Sequence, residues 1–179
     1  MKTNEFLTLL EQENIAIGEL PELLVDALAS KKLRIATAES CTGGMVSAAI
    51  TSVSGASAVF DCGVCSYANH IKSKVVGVRE ETLATYGAVS EKTAAEMARG
   101  VRLLAGADIG ISTTGIAGPL GGTHYKPVGL VYVGVSTEMG LHSEKLLLGE
   151  NNADRRRIRE LATAAALYFA LKAIQKMDY

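Results

Sequence analysis

Apolar residues recur at helical spacing in some segments and form compact β-like runs in others, and the two kinds of segment alternate. This pattern predicts helices at residues 3–11, 21–30, 45–54, 90–105 and 153–176, with a short helix or irregular link at 70–78. It predicts strands at residues 33–38, 58–68, 107–115, 128–137 and 141–149. We expect Ser90 to cap its helix and the last two strands to form a hairpin across residues 138–140.

The alternation predicts an α/β fold, a three-layer α/β/α sandwich on a mixed, mostly parallel sheet of about five strands. We expect a single domain over residues 1–179, with the helices of residues 1–31 packed on it. Ligands of open α/β sheets bind beyond the carboxyl ends of strands. The segments TAESCTGG (37–44) and STTGIAGPLGG (112–122) both end a strand in hydroxyl residues and then glycines. We therefore expect these two loops to share one site.

Composition and charge exclude several classes of protein. A formal net charge of -1 gives no electrostatic surface for nucleic acid or an anionic membrane. The chain contains no apolar run of the roughly 18 residues that a membrane span needs. Its first residues include acidic side chains and no signal-peptide core, which predicts a cytoplasmic protein. Three cysteines are an odd number and do not indicate a disulfide framework.

Ser40 is the first candidate for chemistry. It follows a predicted strand and precedes Gly43 and Gly44, so its hydroxyl and the amides of a helix start would face a ligand. The alternative is a helix N-cap, for which serine is common. Cys41 is a rival nucleophile, although a free cysteine is often only a small buried residue.

A nucleophilic serine needs a base, and no Ser-His-Asp pattern is evident among His70, His124 and His142. Lysine can replace histidine when burial lowers the pKa of its amine. Lys72 and Tyr67 follow the second predicted strand and would lie beside Ser40 if the first two strands are neighbours. The alternative is that Lys72 is an ordinary surface lysine.

Three other motifs allow two interpretations each. Cys62 and Cys65 form a CxxC motif, but residues three apart in a strand face opposite sides, which disfavours zinc or redox chemistry. The glycine-rich loop from Thr114, with His124 and Lys126, could hold a phosphate or could simply be a tight turn. Four arginines open the final helix: Arg155, Arg156, Arg157 and Arg159. Positive charges at a helix N-terminus are disfavoured by the helix dipole, so one or two of these arginines are candidates for binding an anionic partner, and the others would be solvated.

Five segments together resemble the C-terminal domain of the competence/damage-inducible protein CinA, a family that includes stand-alone nicotinamide-nucleotide amidohydrolases. They are TAESCTGG, SGASAVFDCGVCSYANHIKSKVVGV, TLATYGAVSEKTAAEMARG, ADIGISTTGIAGPLGG and KPVGLVYVGV, in this order. The resemblance runs from about Leu33 to the final helix. It implies hydrolysis of the carboxamide of nicotinamide mononucleotide to nicotinate mononucleotide and ammonia.

The resemblance also implies roles for individual residues. Ser40 matches the nucleophile, and Tyr67 and Lys72 match the residues thought to activate it, with Ala68 replacing a usual serine. The TGIAGP segment at Thr114–Pro119 matches a pocket-lining loop, in which Leu120 replaces a polar or small residue. The substrate-binding residues expected on this basis are Thr42, Gly43, Gly44, Thr114, Gly115, Ala117, Gly118, Arg155 and Arg159.

The resemblance implies no metal and no cofactor, and a small pyridine nucleotide as the partner. Two-domain relatives carry an N-terminal domain resembling molybdopterin-binding proteins, which this chain lacks, so we expect no pyrophosphatase activity. A non-catalytic nucleotide-binding domain of the same fold is the alternative function. A homodimer or higher homo-oligomer is expected because the final helix is apolar on more than one face, although packing on the N-terminal helices explains this equally well.

Overall fold

The computed structural model describes residues 1–150 and 153–177 of the chain. Seven α-helices lie in these residues: α1 Thr3–Gln12, α2 Leu20–Lys31, α3 Met45–Thr51, α4 Asn69–Val76, α5 Glu80–Tyr86, α6 Glu91–Ala105 and α7 Arg155–Gln175. Five strands lie among them: β1 Ile35–Glu39, β2 Phe60–Cys65, β3 Ile109–Gly115, β4 Leu130–Thr137 and β5 Gly140–Leu147. Short 3₁₀ turns occupy Ile17–Glu19 and Ala56–Ala58.

The strands form one sheet in the order β2-β1-β3-β4-β5. Strand β1 pairs in parallel with β2 and β3, whereas β4 pairs antiparallel with β3 and β5. The β4–β5 pairing closes at Thr137 and Gly140, which confirms the predicted hairpin. The carboxyl ends of β1, β2 and β3 therefore lie at one edge of the sheet, with the hairpin at the other.

Helices cover both faces of the sheet. The larger core packs α1, α2, α3 and α7 on one face, around buried residues such as Phe6, Leu24, Ile111 and Leu161. The smaller core packs α4, α5 and α6 on the other face, around Val76, Met97 and Val101. The predicted three-layer α/β/α sandwich on a mixed sheet of five strands is confirmed.

One helix was missed by the sequence-based expectation, and another agrees with one of its two alternatives. Helix α5 was not predicted, although Glu80 and Glu81 in its first turn and Gly87 after its end are typical helix-boundary residues. Residues 70–78, predicted as a helix or a link, contain most of helix α4. Ser90 does cap α6, because its hydroxyl accepts from the Thr93 amide at 3.2 Å.

Helix α7 is apolar on several faces because it packs inside the chain. It contacts α2, α3, β3 and β4, and its buried residues include Leu161, Leu167, Leu171 and Ile174, with Phe169 partly buried. Its apolar surface is therefore explained by packing within the chain, and the homo-oligomer stays a prediction. The predicted single domain also takes in residues 151–152 and 178–179, which lie outside the described residues.

Candidate active site

Ser40 lies at the carboxyl edge of the sheet, directly after β1. Its amide donates to the Thr113 carbonyl of neighbouring strand β3 at 2.9 Å, so the chain is still held to the sheet at this residue. We call residues 40–44 the nucleophile turn. It leads directly into α3, which begins at Met45.

A buried carboxylate anchors this turn. Glu39 is buried, and its Oε2 accepts from the Thr42 hydroxyl at 2.7 Å and from the Gly44 and Val46 amides at 2.9 and 3.0 Å. Its Oε1 accepts from the amide and the hydroxyl of Ser47 at 2.8 and 2.7 Å. Burying a carboxylate is costly unless hydrogen bonds replace water, and here five donors do so. Glu39 thus fixes the start of α3 relative to Ser40.

The turn requires glycine, and it leaves Cys41 as a packing residue. Gly43 and Gly44 have φ values of +59° and +97°, a region that other residues rarely adopt. Cys41 is buried, and desolvation raises the pKa of its thiol to about 12. A thiol that resists ionisation is a poor nucleophile. Ser40 is therefore the better nucleophile candidate of the two.

Lys72 contacts Ser40 from helix α4. Its side chain is fully buried at 0% exposure, and Nζ lies 3.0 Å from Ser40 Oγ. The same nitrogen donates to the Ser66 carbonyl at 2.6 Å and to the Tyr67 carbonyl at 3.3 Å. Within the described residues, no carboxylate forms a salt bridge with Lys72.

These surroundings make the neutral amine more accessible than it is in an exposed lysine. Desolvation by burial lowers the pKa of Lys72 below that of an exposed lysine. A neutral amine has two N–H donors and one lone pair. The two carbonyls can take both donors, which leaves the lone pair for the Ser40 hydroxyl. The geometry suits a general base acting on Ser40.

Tyr67 lines the same cavity, but among the described residues its phenol forms no hydrogen bond with Ser40 or Lys72. It is 65% exposed, and its hydroxyl accepts from Arg155 Nη2 at 3.3 Å. Among the described residues, the one hydrogen bond between Lys72 and Tyr67 runs from Lys72 Nζ to the Tyr67 backbone carbonyl. The predicted relay through the tyrosine hydroxyl is not part of the observed hydrogen bonding, and it stays a prediction.

A cavity of about 270 Å³ opens above Ser40 and Lys72. Both glycine-containing loops line it, as expected from neighbouring strand ends. The expected site residues found in its lining are Ser40, Tyr67, Lys72, Thr114, Gly115, Ala117, Gly118 and Arg155. Cys41, Ile116, Leu120 and Gly121 complete this side of the wall.

Four expected substrate-binding residues do not line this cavity: Thr42, Gly43, Gly44 and Arg159. The buried Thr42 hydroxyl lies between Glu39 and Thr113, 2.6 Å from the Thr113 hydroxyl. The Gly44 amide is taken by Glu39. Arg159 donates to the carbonyls of Cys41 and Thr42. Thr42, Gly43 and Gly44 thus shape the nucleophile turn itself, and Arg159 supports it from outside the cavity lining.

The polar groups of the second loop are largely used in holding it. Lys126 Nζ donates to the carbonyls of Tyr86 and Val89 at 2.7 and 2.8 Å, and the Thr114 hydroxyl donates to the Ala88 carbonyl at 2.7 Å. His124 is exposed and its ring meets the Tyr125 ring edge-on. Of the basic residues expected to receive a phosphate, Arg155 is the one in the cavity wall, where its Nη1 donates to the Gly118 carbonyl at 2.8 Å.

Sequence reasoning missed several residues of the site. Ala88 and Val89 line the cavity, and they follow the unpredicted helix α5. The available signal was Gly87, at a φ of +77°, which marks the end of that helix. Glu39 also had no predicted role, although an acidic residue at the end of an apolar strand is a candidate for a buried cap.

The remaining candidates lie elsewhere. Cys62 and Cys65 are free thiols on β2, and the described residues contain no group of three or more potential metal ligands. A larger cavity of about 460 Å³ lies between α1, α7 and the β4–β5 hairpin, at the opposite edge of the sheet. We place the chemistry in the smaller cavity because it contains the contact between Ser40 and Lys72.

The fold and this site define a class: an α/β domain in which a serine hydroxyl at the carboxyl edge of the sheet contacts a buried lysine. The sequence profile of the CinA C-terminal domain matches residues 18–174, and the chain therefore belongs to this family. Among the described residues, no helix combines the length and hydrophobicity that a membrane crossing requires.

Two relatives illustrate the match. A putative competence-damage inducible protein of Thermoanaerobacter sp. (strain X514) is 54% identical over 149 residues, which are 83% of this chain and 35% of that protein. A CinA-like protein of Kosmotoga olearia is 50% identical over 160 residues, which are 88% of this chain and 38% of that protein. The chain thus spans little more than a third of the length of these relatives.

Solved structures show the same fold. The competence/damage inducible protein CihA of Agrobacterium tumefaciens superposes with a TM-score of 0.85 at 38% identity, covering 89% of this chain and 96% of that one. A CinA superfamily protein of Escherichia coli superposes with a TM-score of 0.83 at 32% identity, covering 88% and 90%.

Proposed function

We propose that this protein is a nicotinamide mononucleotide deamidase that works through Ser40 and Lys72. The observation that carries the proposal is the 3.0 Å contact between Lys72 Nζ and Ser40 Oγ at the floor of an open cavity. Family membership supports it, because the family includes amidohydrolases of this substrate. The lowered pKa of Lys72 supports it further, because only the neutral amine can accept the serine proton.

The proposed reaction has two halves. In the first, Lys72 takes the Ser40 proton while Ser40 Oγ attacks the carboxamide carbon, and the carbonyl oxygen becomes an oxyanion. The amides of the nucleophile turn stabilise that oxyanion. The C–N bond then breaks, Lys72 returns its proton to the leaving nitrogen, and ammonia departs, which leaves a nicotinoyl ester on Ser40.

In the second half, water attacks this ester and gives a proton to Lys72. The Ser40–acyl bond breaks, Ser40 recovers its proton from Lys72, and nicotinate mononucleotide leaves. In this mechanism Lys72 accepts and returns one proton in each half, which a buried amine with a lowered pKa can do.

The phosphate of the substrate is proposed to meet Arg155 at the cavity wall. Arg155 Nη1 donates to the Gly118 carbonyl at 2.8 Å, and among the described residues Nη2 makes one longer contact, 3.3 Å to the Tyr67 hydroxyl. A guanidinium has five N–H donors, so Arg155 can keep the hydrogen bond from Nη1 and still donate from its other nitrogens to an anion. Tyr67 would then border the nucleotide at the mouth of the cavity.

The test is ammonia release from nicotinamide mononucleotide in the presence of a metal chelator, for the wild type and Ser40→Ala. We expect release by the wild type and a loss of about 10⁴-fold or more in the variant. Ser52→Ala is the matched control and should keep wild-type release, because Ser52 is exposed just after α3, lies outside the cavity lining, and donates its hydroxyl to the Ala49 carbonyl. Equal release by the wild type and Ser40→Ala would refute the mechanism. Nucleotide binding without release would indicate a binding domain.

A further inference from the structure

Two arginines in the first turns of α7 contact different parts of the site. Arg155 lines the cavity, whereas Arg159 lies behind the nucleophile turn. Arg159 donates from Nε to the Cys41 carbonyl at 3.1 Å and from Nη2 to the Thr42 carbonyl at 2.7 Å. One planar guanidinium therefore holds two consecutive peptide groups.

These two contacts orient the backbone amides of the turn. In a trans peptide the C=O and the following N–H point in opposite directions. When Arg159 holds the carbonyls of Cys41 and Thr42, the N–H groups of Thr42 and Gly43 therefore point away from it. The turn cannot rotate these peptides without breaking the two hydrogen bonds.

Glu39, the second residue that anchors the turn, does not accept hydrogen bonds from the amides of Thr42 and Gly43. Glu39 takes the amides of Gly44, Val46 and Ser47, and the Ser40 amide is used by Thr113. Within the described residues, the amides of Cys41, Thr42 and Gly43 have no hydrogen-bond acceptor. Of the five amides of the nucleophile turn, those of residues 41–43 are thus left without an acceptor among the described residues.

We propose that Arg159 is a positioning residue, which holds the carbonyls of Cys41 and Thr42 so that the backbone of the turn, and with it the Ser40 hydroxyl and the Cys41 amide at the cavity wall, stays directed to the reacting group. The inference rests on the proposed function, and it separates the two arginines that the sequence treats as equal candidates. Arg155 contacts the substrate, whereas Arg159 acts through the backbone beside Ser40. The family resemblance alone assigned both to substrate binding.

A fluorophosphonate probe tests this without the nucleotide substrate. Ser40 Oγ forms a bond to phosphorus, fluoride leaves, and the serine proton passes to Lys72, while the phosphoryl oxygen occupies the oxyanion position. The labelling rate and the final stoichiometry are read by intact mass spectrometry. We expect Arg159→Met to slow labelling by about 10- to 100-fold, less than the loss of a direct oxyanion donor.

The controls separate positioning from folding. Arg156→Met should label at the wild-type rate, because Arg156 is exposed and its ion pair among the described residues is with Glu160 of the same helix. Arg159→Lys should label at an intermediate rate, because it keeps the charge without the planar fork. Full final stoichiometry in the slow variants shows that the chain is folded. With nicotinamide mononucleotide, Arg159→Met should lower kcat and leave KM within about threefold, whereas Arg155→Met should raise KM.

Two results would overturn the inference. Wild-type labelling rates in Arg159→Met would show that the turn does not depend on Arg159, and reduced stoichiometry at an unchanged rate would show a purely structural role. Failure of the proposed function is distinct from both. A wild type that neither labels at Ser40 nor releases ammonia would overturn the mechanism and this inference together.

Discussion

The two loops that border the cavity are held in very different ways. The nucleophile turn, residues 40–44, is fixed by Glu39 and Arg159, and its neighbouring side chains are largely buried. The loop of residues 116–129 is closed by backbone bonds between Ile116 and its far end, while Leu120 and Tyr125 are 87% and 89% exposed. Both loops follow adjacent parallel strands.

This difference separates reaction from recognition. Residues that must place an oxyanion and a nucleophile within a fraction of an ångström need buried, fully bonded supports. A loop that borders the substrate can tolerate exposed and variable side chains. We therefore expect substitutions near the turn to affect turnover, and substitutions in the loop to affect substrate affinity.

Lys72→Met should have the largest effect on this comparison. It removes the proposed base, and we expect turnover to fall by about 10³-fold. Lys74→Met, on the exposed side of the same helix, should retain wild-type turnover. Ammonia release under saturating substrate measures both variants. Turnover in Lys72→Met within tenfold of the wild type would remove Lys72 from the mechanism.

Glu39→Gln should come next. In glutamine one of the two carboxylate oxygens becomes an NH₂ group, which donates hydrogen bonds and cannot accept them. Some of the five donors around Glu39 therefore lose their acceptor. We expect the free energy of unfolding to fall by about 1–3 kcal/mol, measured by urea denaturation. Turnover should fall about tenfold as the turn loosens. The exposed Glu80→Gln should change the free energy by less than about 0.5 kcal/mol.

Tyr67→Phe distinguishes two roles for Tyr67, a proton relay through its hydroxyl and a position in the cavity wall. The variant loses the 3.3 Å contact between the phenol and Arg155, and we expect kcat/KM to fall roughly 3- to 10-fold, mainly through KM. Tyr125→Phe, at an exposed position of the loop, is the matched control. A fall in kcat as large as that of Lys72→Met would instead support the relay predicted from the sequence.

Leu120→Ala should have the smallest effect. Leu120 borders the cavity but is 87% exposed, so its truncation removes little packing. We expect KM to change by less than about threefold and the free energy of unfolding by less than about 0.5 kcal/mol. A large loss of turnover would mean that the loop takes part in the reaction, and the distinction between the two loops would fail.

The sequence predicted the fold well because its signals were local. Hydrophobic periodicity located every strand, and the hairpin followed from two adjacent β-like runs with a short turn between them. Helix α5 escaped because its seven residues offer little periodicity, and Thr82 is its buried residue. Short helices depend mainly on tertiary packing.

The candidate site was predictable only in part. Ser40 and Tyr67 could be found because they follow closely after strands β1 and β2, and Lys72 because it lies in the first turn of the helix that comes next. The role of Arg159 could not be found, because its partner Cys41 lies 118 residues away along the chain. Glu39 acquires its role only when the turn closes over it, which no spacing rule in the sequence expresses.

The central claim is that Ser40 is activated by a buried neutral lysine. Nitrogen-15 NMR of labelled lysine side chains, with Lys72→Met used to assign the signal, measures this directly. Because burial lowers the pKa of Lys72, its Nζ should lose its proton at a lower pH than the exposed lysines, and kcat/KM should rise with pH through that same pKa. A Lys72 signal that titrates together with the exposed lysines would contradict the account.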